Sequence, residues 1–141
     1  MANELVLKHS DNEIATAFEL DERAALQMIV DNVSAITKAE DMFKLIGKSA
    51  MIGRAQWVQT AIITAKAFEN KSRAEMKTTR EQWAETLRYS VQQLANYRQA
   101  GEKLIKGEFE SIPNTMSEFL KRPSNQKAEY ATVKIVRAAG A

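Results

Sequence analysis

Large apolar residues recur at spacings of three, four or seven in the first third of the chain, which places them on one face of an α-helix. Asp21 stands before this stretch as a helix N-cap, and Gly47 follows it as a helix terminator. We therefore predict one long helix from Asp21 to about Gly47. Its apolar stripe consists of Leu26, Ile29, Val33, Ile36 and Phe43.

Two further helices are predicted in the same half of the chain. Ser10 and Glu13 have the spacing of a capping box that opens a short helix from Asp11 to about Phe18. A longer helix is predicted over 50–70, and the short link before it indicates that the two long helices form an antiparallel hairpin. The apolar seam of this later helix contains Trp57, Val58, Ala61, Ile62, Ala65 and Phe68.

Composition supports a helical fold, because 141 residues contain only 5 glycines and 2 prolines. The length suits one domain with its own core, so we predict a single all-α domain over 1–141. Charge is uneven along it, since 1–70 carry a net charge of −3 and 71–141 carry +5. We interpret 1–70 as an acidic helical hairpin that serves as a dimerisation scaffold, with its apolar stripes forming core or a subunit interface.

The last part of the chain, 107–141, is predicted to be a C-terminal extension. Pro113 and Pro123 interrupt it, and its end has a mixed pattern. Alternating apolar residues in 130–136 favour a short strand, whereas the alanine-rich flanks favour a helix. Both alternatives stay open, and this segment is a second candidate for the subunit interface.

Residue inventory excludes several functions. The chain has no cysteine, which removes disulfides and thiolate metal sites and makes a cytoplasmic location the expectation. The single histidine, His9, is expected to be solvated near the terminus, and Gly47-Lys48-Ser49 lacks the earlier glycine of a phosphate-binding loop. No apolar run is long enough to cross a membrane, and no signal peptide is expected. We predict no enzyme activity, cofactor, metal or small-molecule substrate.

Residues 79–101 have a pattern of their own, with start signals at Thr78 and Thr79. Two short helices joined by a tight turn are predicted, and Ser90 with Gln93 forms a capping box for the second. The first helix is expected to face inward through Trp83, Ala84 and Leu87, and the second through Val91, Leu94 and Tyr97. The preceding residues, 71–77, either continue the earlier helix or form a linker.

This segment resembles the helix-turn-helix of phage repressor and Cro-like regulators. The matching positions are Gln82-Trp83-Ala84, Leu87, Tyr89-Ser90, Leu94, Tyr97-Arg98 and Gly101. Arg88 departs from the pattern because it occupies a turn position that favours glycine and a left-handed backbone. Arginine there costs roughly 1 kcal/mol or forces a different turn.

The resemblance implies a DNA-reading unit within a basic region, 71–106, of net charge +4. Amide side chains on the outer face of the second helix suit pairing with adenine in the major groove, and basic side chains suit phosphate. We therefore expect base contacts from Gln92, Gln93 and Asn96, with Gln99 nearby on the same face. The expected phosphate contacts are Arg80, Arg88, Arg98 and Lys103.

The predicted function is a small sequence-specific binder of double-stranded DNA, of the kind that regulates transcription or replication in phages and plasmids. One unit covers few base pairs, so a homodimer on an inverted repeat is expected. The alternative is a helical protein-binding module of phage type that grips a partner through the face carrying Trp57 and Phe68 and binds no DNA.

Overall fold

Seven helices and no strand occur within residues 7–121, the part of the chain that the computed structural model describes. This confirms the predicted all-α class. The predicted strand or helix at 130–136 lies outside the described residues. The helices are α1 (Asp11–Leu20), α2 (Glu22–Ser34), α3 (Ala39–Lys48), α4 (Gly53–Ala67), α5 (Arg73–Leu87), α6 (Val91–Lys106) and α7 (Met116–Lys121).

The first two helices begin where the capping residues predict. The Ser10 hydroxyl accepts a hydrogen bond from the Glu13 backbone N–H, and the Glu13 carboxylate accepts one from the Ser10 backbone, which completes the capping box. Asp21 ends α1 and caps α2, because its Oδ1 accepts the backbone N–H groups of Arg23 and Ala24. Local sequence therefore sets both boundaries.

The prediction of one long helix from Asp21 to Gly47 is wrong, because the helix stops at Ser34 and a new one starts at Ala39. The ammonium of Lys66, on α4, donates to the carbonyl oxygens of Val33 and Ser34 at 2.8 and 3.1 Å. A helix end whose carbonyls are satisfied by a distant cation needs no continuation. Burial lowers the pKa of Lys66.

The apolar stripe of this region is core and not a free surface. Its first four members are nearly inaccessible, although Ile36 lies in the link between α2 and α3. Of the two alternatives for this stripe, core or subunit interface, the structure therefore agrees with core, since one chain already buries it. The buried members are Leu26, Ile29, Val33 and Ile36.

Helix α4 lies at the centre of the described structure, and eleven of its fifteen residues are buried. The predicted seam is confirmed, including Trp57 and Phe68, whose exposed fractions are 4% and 5%. Trp57 donates from Nε1 to the Pro113 carbonyl at 3.2 Å and packs on Phe119 of α7. Residues 107–121 thus contribute to the same core as the helices before them.

Helix α6 packs closely along α4, and Gly101 is the residue that permits this approach. A Cβ atom at Gly101 would lie 2.1 Å from the Ala61 carbonyl oxygen and 2.8 Å from the Ala65 side chain. No side chain fits in that space, so the two backbones meet directly. The position that matches glycine in the helix-turn-helix pattern is thus required for packing between α4 and α6.

A partly buried ion pair joins the early helices to the loop before α7. Arg54 donates to Glu22 at 2.6 Å, to the Phe18 carbonyl at 2.6 Å and to the Ile112 carbonyl at 3.2 Å. The Glu22 carboxylate in turn accepts the Ile112 backbone N–H. These bonds satisfy charges that would otherwise be desolvated without partners.

Candidate nucleic-acid interface

Helix α5 begins earlier than its predicted start. Ser72 is the N-cap, and it forms a capping box with Glu75. The start signals at Thr78 and Thr79 are therefore wrong, because the Ser72 signal precedes them and the helix runs through both threonines. The hydrogen bonds from Ser72 lower the pKa of the Glu75 carboxyl, because they favour its ionised form.

The turn between α5 and α6 has the backbone that the pattern requires. Arg88 ends α5 with φ 60° and ψ 34°, in the left-handed region that normally favours glycine. Ser90 is the extended N-cap of α6, and its side chain and that of Gln93 form the predicted capping box. Arginine thus adopts the strained conformation, and the alternative of a different turn is not taken.

The inward faces of the two helices agree with prediction at five of six positions, with Ala84 and Leu87 partly buried against the core. Trp83 and Leu94 are each 1% exposed, and Tyr97 is half-buried and stacked on Tyr89 at 5.4 Å between ring centroids. Val91 is 59% exposed, so its predicted inward position is wrong. The buried side of α6 lies toward α4, and the first residue of α6 is rotated away from it.

The stacked tyrosines stay neutral over the physiological range. Burial raises the pKa of Tyr97 to about 12, and the charge of a neighbouring tyrosinate adds to this effect. Burial also raises the pKa of Tyr89. Both shifts have the same direction because burial favours the neutral phenol.

Helix α6 contacts α4 more extensively than it contacts α5, so 79–101 is not an isolated helix pair. Ala100, Gly101 and Leu104 are buried along the α4 side. The opposite side exposes Gln92 and Gln99. Their spacing from Asn96, of four and three residues, puts the three amides on one stripe, which we call the amide stripe.

Two of the side-chain amides bind each other. Gln92 Nε2 donates to Asn96 Oδ1 at 3.0 Å, and this leaves the side-chain atoms Gln92 Oε1 and Asn96 Nδ2 without a partner among the described residues. Gln93 is exposed, but its Oε1 accepts the Ser90 backbone N–H at 2.9 Å as part of the cap. Of the three predicted base-contacting residues, Gln92 and Asn96 are therefore the better placed.

The four predicted phosphate contacts divide into two kinds. Arg80 and Arg88 are exposed and have no side-chain partner within residues 7–121. Arg98 donates to Glu102 at 3.1 Å and lies over the Phe68 ring, and Lys103 lies over the Phe119 ring. Arg98 and Lys103 thus serve the packing of α6 against its neighbours.

The expectation that His9 is solvated is wrong. Its ring lies 3.2 Å from Asp31, and its backbone exchanges hydrogen bonds with the buried Asn32 side chain. No group of three or more histidine, cysteine or acidic side chains in 7–121 is arranged to hold a metal. Among the same residues, no helix combines the length and apolar character that a membrane crossing requires.

Comparison of the chain with protein-family models, with curated proteins and with solved structures found no match.

Proposed function

We propose that the protein binds double-stranded DNA in a sequence-dependent way through the amide stripe of α6. The observation that carries this proposal is the hydrogen bond between Gln92 and Asn96. It fixes two exposed or half-exposed amides one turn apart and leaves the Gln92 Oε1 acceptor and the Asn96 Nδ2 donor group unpaired among the described residues. Adenine presents one donor and one acceptor in the major groove, so this pair is chemically complementary to it.

The contacts of Gln93 change its part in the proposal. Its side-chain oxygen caps the helix, so only its amide nitrogen is available to a base. Phosphate binding is assigned to Arg80 and Arg88, whose guanidinium groups are exposed. Arg98 and Lys103 act mainly by holding α6 in place.

A two-fold dimer remains part of this proposal, because one helix reads only a few base pairs. Two copies on an inverted repeat would combine their affinities in the manner expected of a transcription or replication regulator. The apolar stripe of α2 is unavailable for that contact, since the chain buries it in its own core.

The alternative, a protein-binding module, depended on an exposed face with Trp57 and Phe68, and that face is buried. Trp57 and Phe68 are buried within the chain and cannot grip a partner without unfolding it. The large apolar side chains that are exposed within the described residues are Leu20, Ile52 and Val91. We therefore favour DNA over a protein partner.

The proposal is tested by selecting bound sequences from a random pool of duplex DNA with the full chain. Enrichment of an inverted repeat is expected. Replacing Gln92 and Asn96 together by alanine should reduce the preference for the enriched sequence by about 10- to 100-fold, since one bidentate pair contributes roughly 1–3 kcal/mol. Binding to unselected DNA should change little.

A matched control is Asn12→Ala, which removes an exposed amide from α1. It should alter neither the preferred sequence nor the affinity. Selection that returns no preferred sequence would contradict the proposal. Equal weakening of preferred and unselected DNA by the Gln92 and Asn96 changes would also contradict it.

A further inference from the structure

Helix α5 exposes most of its surface. It has fifteen residues, and Trp83 is its one fully buried side chain. Met76, Thr79, Ala84 and Leu87 are partly covered. The N-terminal half of the helix therefore carries its charged residues in contact with solvent.

The arginines of the described residues fall into two groups of three. Arg23, Arg54 and Arg98 each lie over an aromatic ring, at 4.9–5.4 Å from its centroid. The other three are exposed and have no side-chain partner among residues 7–121, and all of them belong to α5 or to its C-cap. They are Arg73, Arg80 and Arg88.

Spacing places the free cations of α5 on one line. Arg73, Lys77 and Arg80 are separated by four and three residues, so they fall within about 60° of arc on the helix surface. Lys77 is also exposed and unpartnered among the described residues. We call these three residues the basic stripe, which extends about 10 Å along the axis at 1.5 Å per residue.

The acidic residues of α5 lie off this line. Glu85 and Glu75 are rotated from Arg73 by about 120° and 200°, and Glu75 is engaged in its cap. Glu81 is nearer, one turn after Lys77, yet the two form no ion pair within the described structure. Two of the three carboxylates of α5 therefore lie away from this line, and Glu81 borders it beside Lys77.

We propose that the basic stripe binds successive phosphates along one strand of duplex DNA. Phosphates on one strand are about 3.4 Å apart along the axis, so the length of the stripe corresponds to about three phosphate steps. Guanidinium and ammonium groups are the usual phosphate partners, and unpartnered ones need break no internal contact. The inference takes duplex DNA as the partner from the proposed function, but it does not require that α6 recognises bases.

This assignment separates affinity from specificity on two helices. The amide stripe of α6 carries no charge, so it adds little to binding that depends on salt. The basic stripe carries three positive charges and contacts no base edge. α5 therefore supplies the sequence-independent attraction, and α6 supplies the discrimination.

The test compares two triple variants of the full chain on random-sequence duplex DNA, with affinity measured by fluorescence anisotropy over a salt series. The first variant is Arg73→Gln, Lys77→Gln and Arg80→Gln. Its log–log salt slope should fall in magnitude by roughly 2.5 to 3, and its affinity near 0.1 M salt should fall by roughly a hundredfold or more.

The control removes the same number of charges from another exposed helix region. It combines Lys38→Gln, Lys44→Gln and Lys48→Gln, around and within α3. Its slope should stay close to that of the unchanged protein. Single substitutions in the basic stripe should each lower the slope by about 0.9, which keeps the test decisive if the triple variant folds poorly.

Several outcomes overturn the inference. An unchanged salt slope of DNA binding in the basic-stripe variants overturns it. If the protein still prefers one DNA sequence in that case, the proposed function stands without the inference. Equal losses in the stripe and control variants also overturn it. Conversely, a stripe-dependent slope without any preferred sequence supports the inference and contradicts base reading by α6.

The partner itself is checked with lipid. Vesicles of phosphatidylcholine containing about a third phosphatidylserine present an anionic surface without nucleic acid. Binding to these vesicles through the stripe, with no binding to duplex DNA, overturns the inference. Retention on DNA and absence from vesicles at the same salt supports it.

Discussion

Helices α4 and α5 have the same length and opposite surroundings. Each has fifteen residues, but α4 buries eleven of them and α5 buries one. The cations of α4, Arg54 and Lys66, bind carbonyl oxygens of other segments, whereas Arg73, Lys77 and Arg80 of α5 bind nothing within the described structure. Of the two helices, α5 therefore carries the cations that are available to a partner, although its three carboxylates balance them to a net charge of zero.

Stability should fall most when an atom is added where α6 and α4 are in closest contact. Gly101→Ala places a Cβ against the Ala61 carbonyl oxygen, and backbone cannot move aside as a side chain can. We expect the free energy of unfolding to fall by about 3 kcal/mol or more. Urea denaturation measures it.

Gly47→Ala is the matched control, since a Cβ there meets nothing within 4 Å. Gly47 lies in α3, so alanine should stabilise the protein by roughly 0.5–1 kcal/mol. Equal effects of the two substitutions would show that α4 and α6 are not in close contact.

The second effect tests how α5 is attached. Trp83 packs on Phe43 and Phe68 at 5.1 and 6.3 Å between ring centroids. Trp83→Ala should lower the free energy of local opening of α5 by about 3 kcal/mol. Hydrogen exchange should then accelerate at amides of α5 and remain slow in α4. Uniform acceleration through both helices would mean that α5 is as central as α4.

The third effect compares the same substitution at two capping boxes. Ser90→Ala should cost about 1 kcal/mol of global stability, because α6 packs on the core through α4. Ser72→Ala removes an equivalent cap from α5, and its effect should be confined to faster exchange in the first turns of that helix. Urea unfolding with site-resolved exchange distinguishes the two, and a global loss from Ser72→Ala contradicts the peripheral position of α5.

The last prediction concerns the strained turn at Arg88, where one substitution should raise stability and weaken the salt dependence of DNA binding. Arg88→Gly relieves a left-handed residue, so the free energy of unfolding should rise by about 0.5–1 kcal/mol. The same change removes an exposed cation and should lower the salt slope of DNA binding by about 0.9. Asn70→Gly, at φ 56°, is the control, and it should alter the slope little. An unchanged salt slope in the Arg88→Gly variant would show that Arg88 does not contact phosphate.

Much of the helix pattern was predictable because its signals are local. The capping boxes at Ser10 and Ser90 each form within one helical turn. At Arg88 two alternatives were open, and the structure has the left-handed one. The α4 seam was predictable from spacing alone. The start of α5 was also encoded locally, by Ser72 and Glu75, but later threonines offered a competing signal.

The errors have long-range causes. The last carbonyls of α2 are bound by Lys66, more than thirty residues away, and His9 is held by contacts with Asp31 and Asn32. Val91 follows the period of its helix, but which side of α6 is buried depends on α4. Periodicity defines a face without naming the neighbour that covers it.

The all-α class, the caps at Ser10, Asp21 and Ser90, the apolar seam of α4 and the basic second half of the chain follow from nearby residues or from composition. Which charges remain available to a partner depends on tertiary contacts. Arg98 and Arg80 are equally basic in the sequence, yet one lies over Phe68 and the other faces solvent. A charged side chain is available to an external partner only if it has no partner within the fold. Contacts between distant segments of the chain decide which side chains are paired in this way.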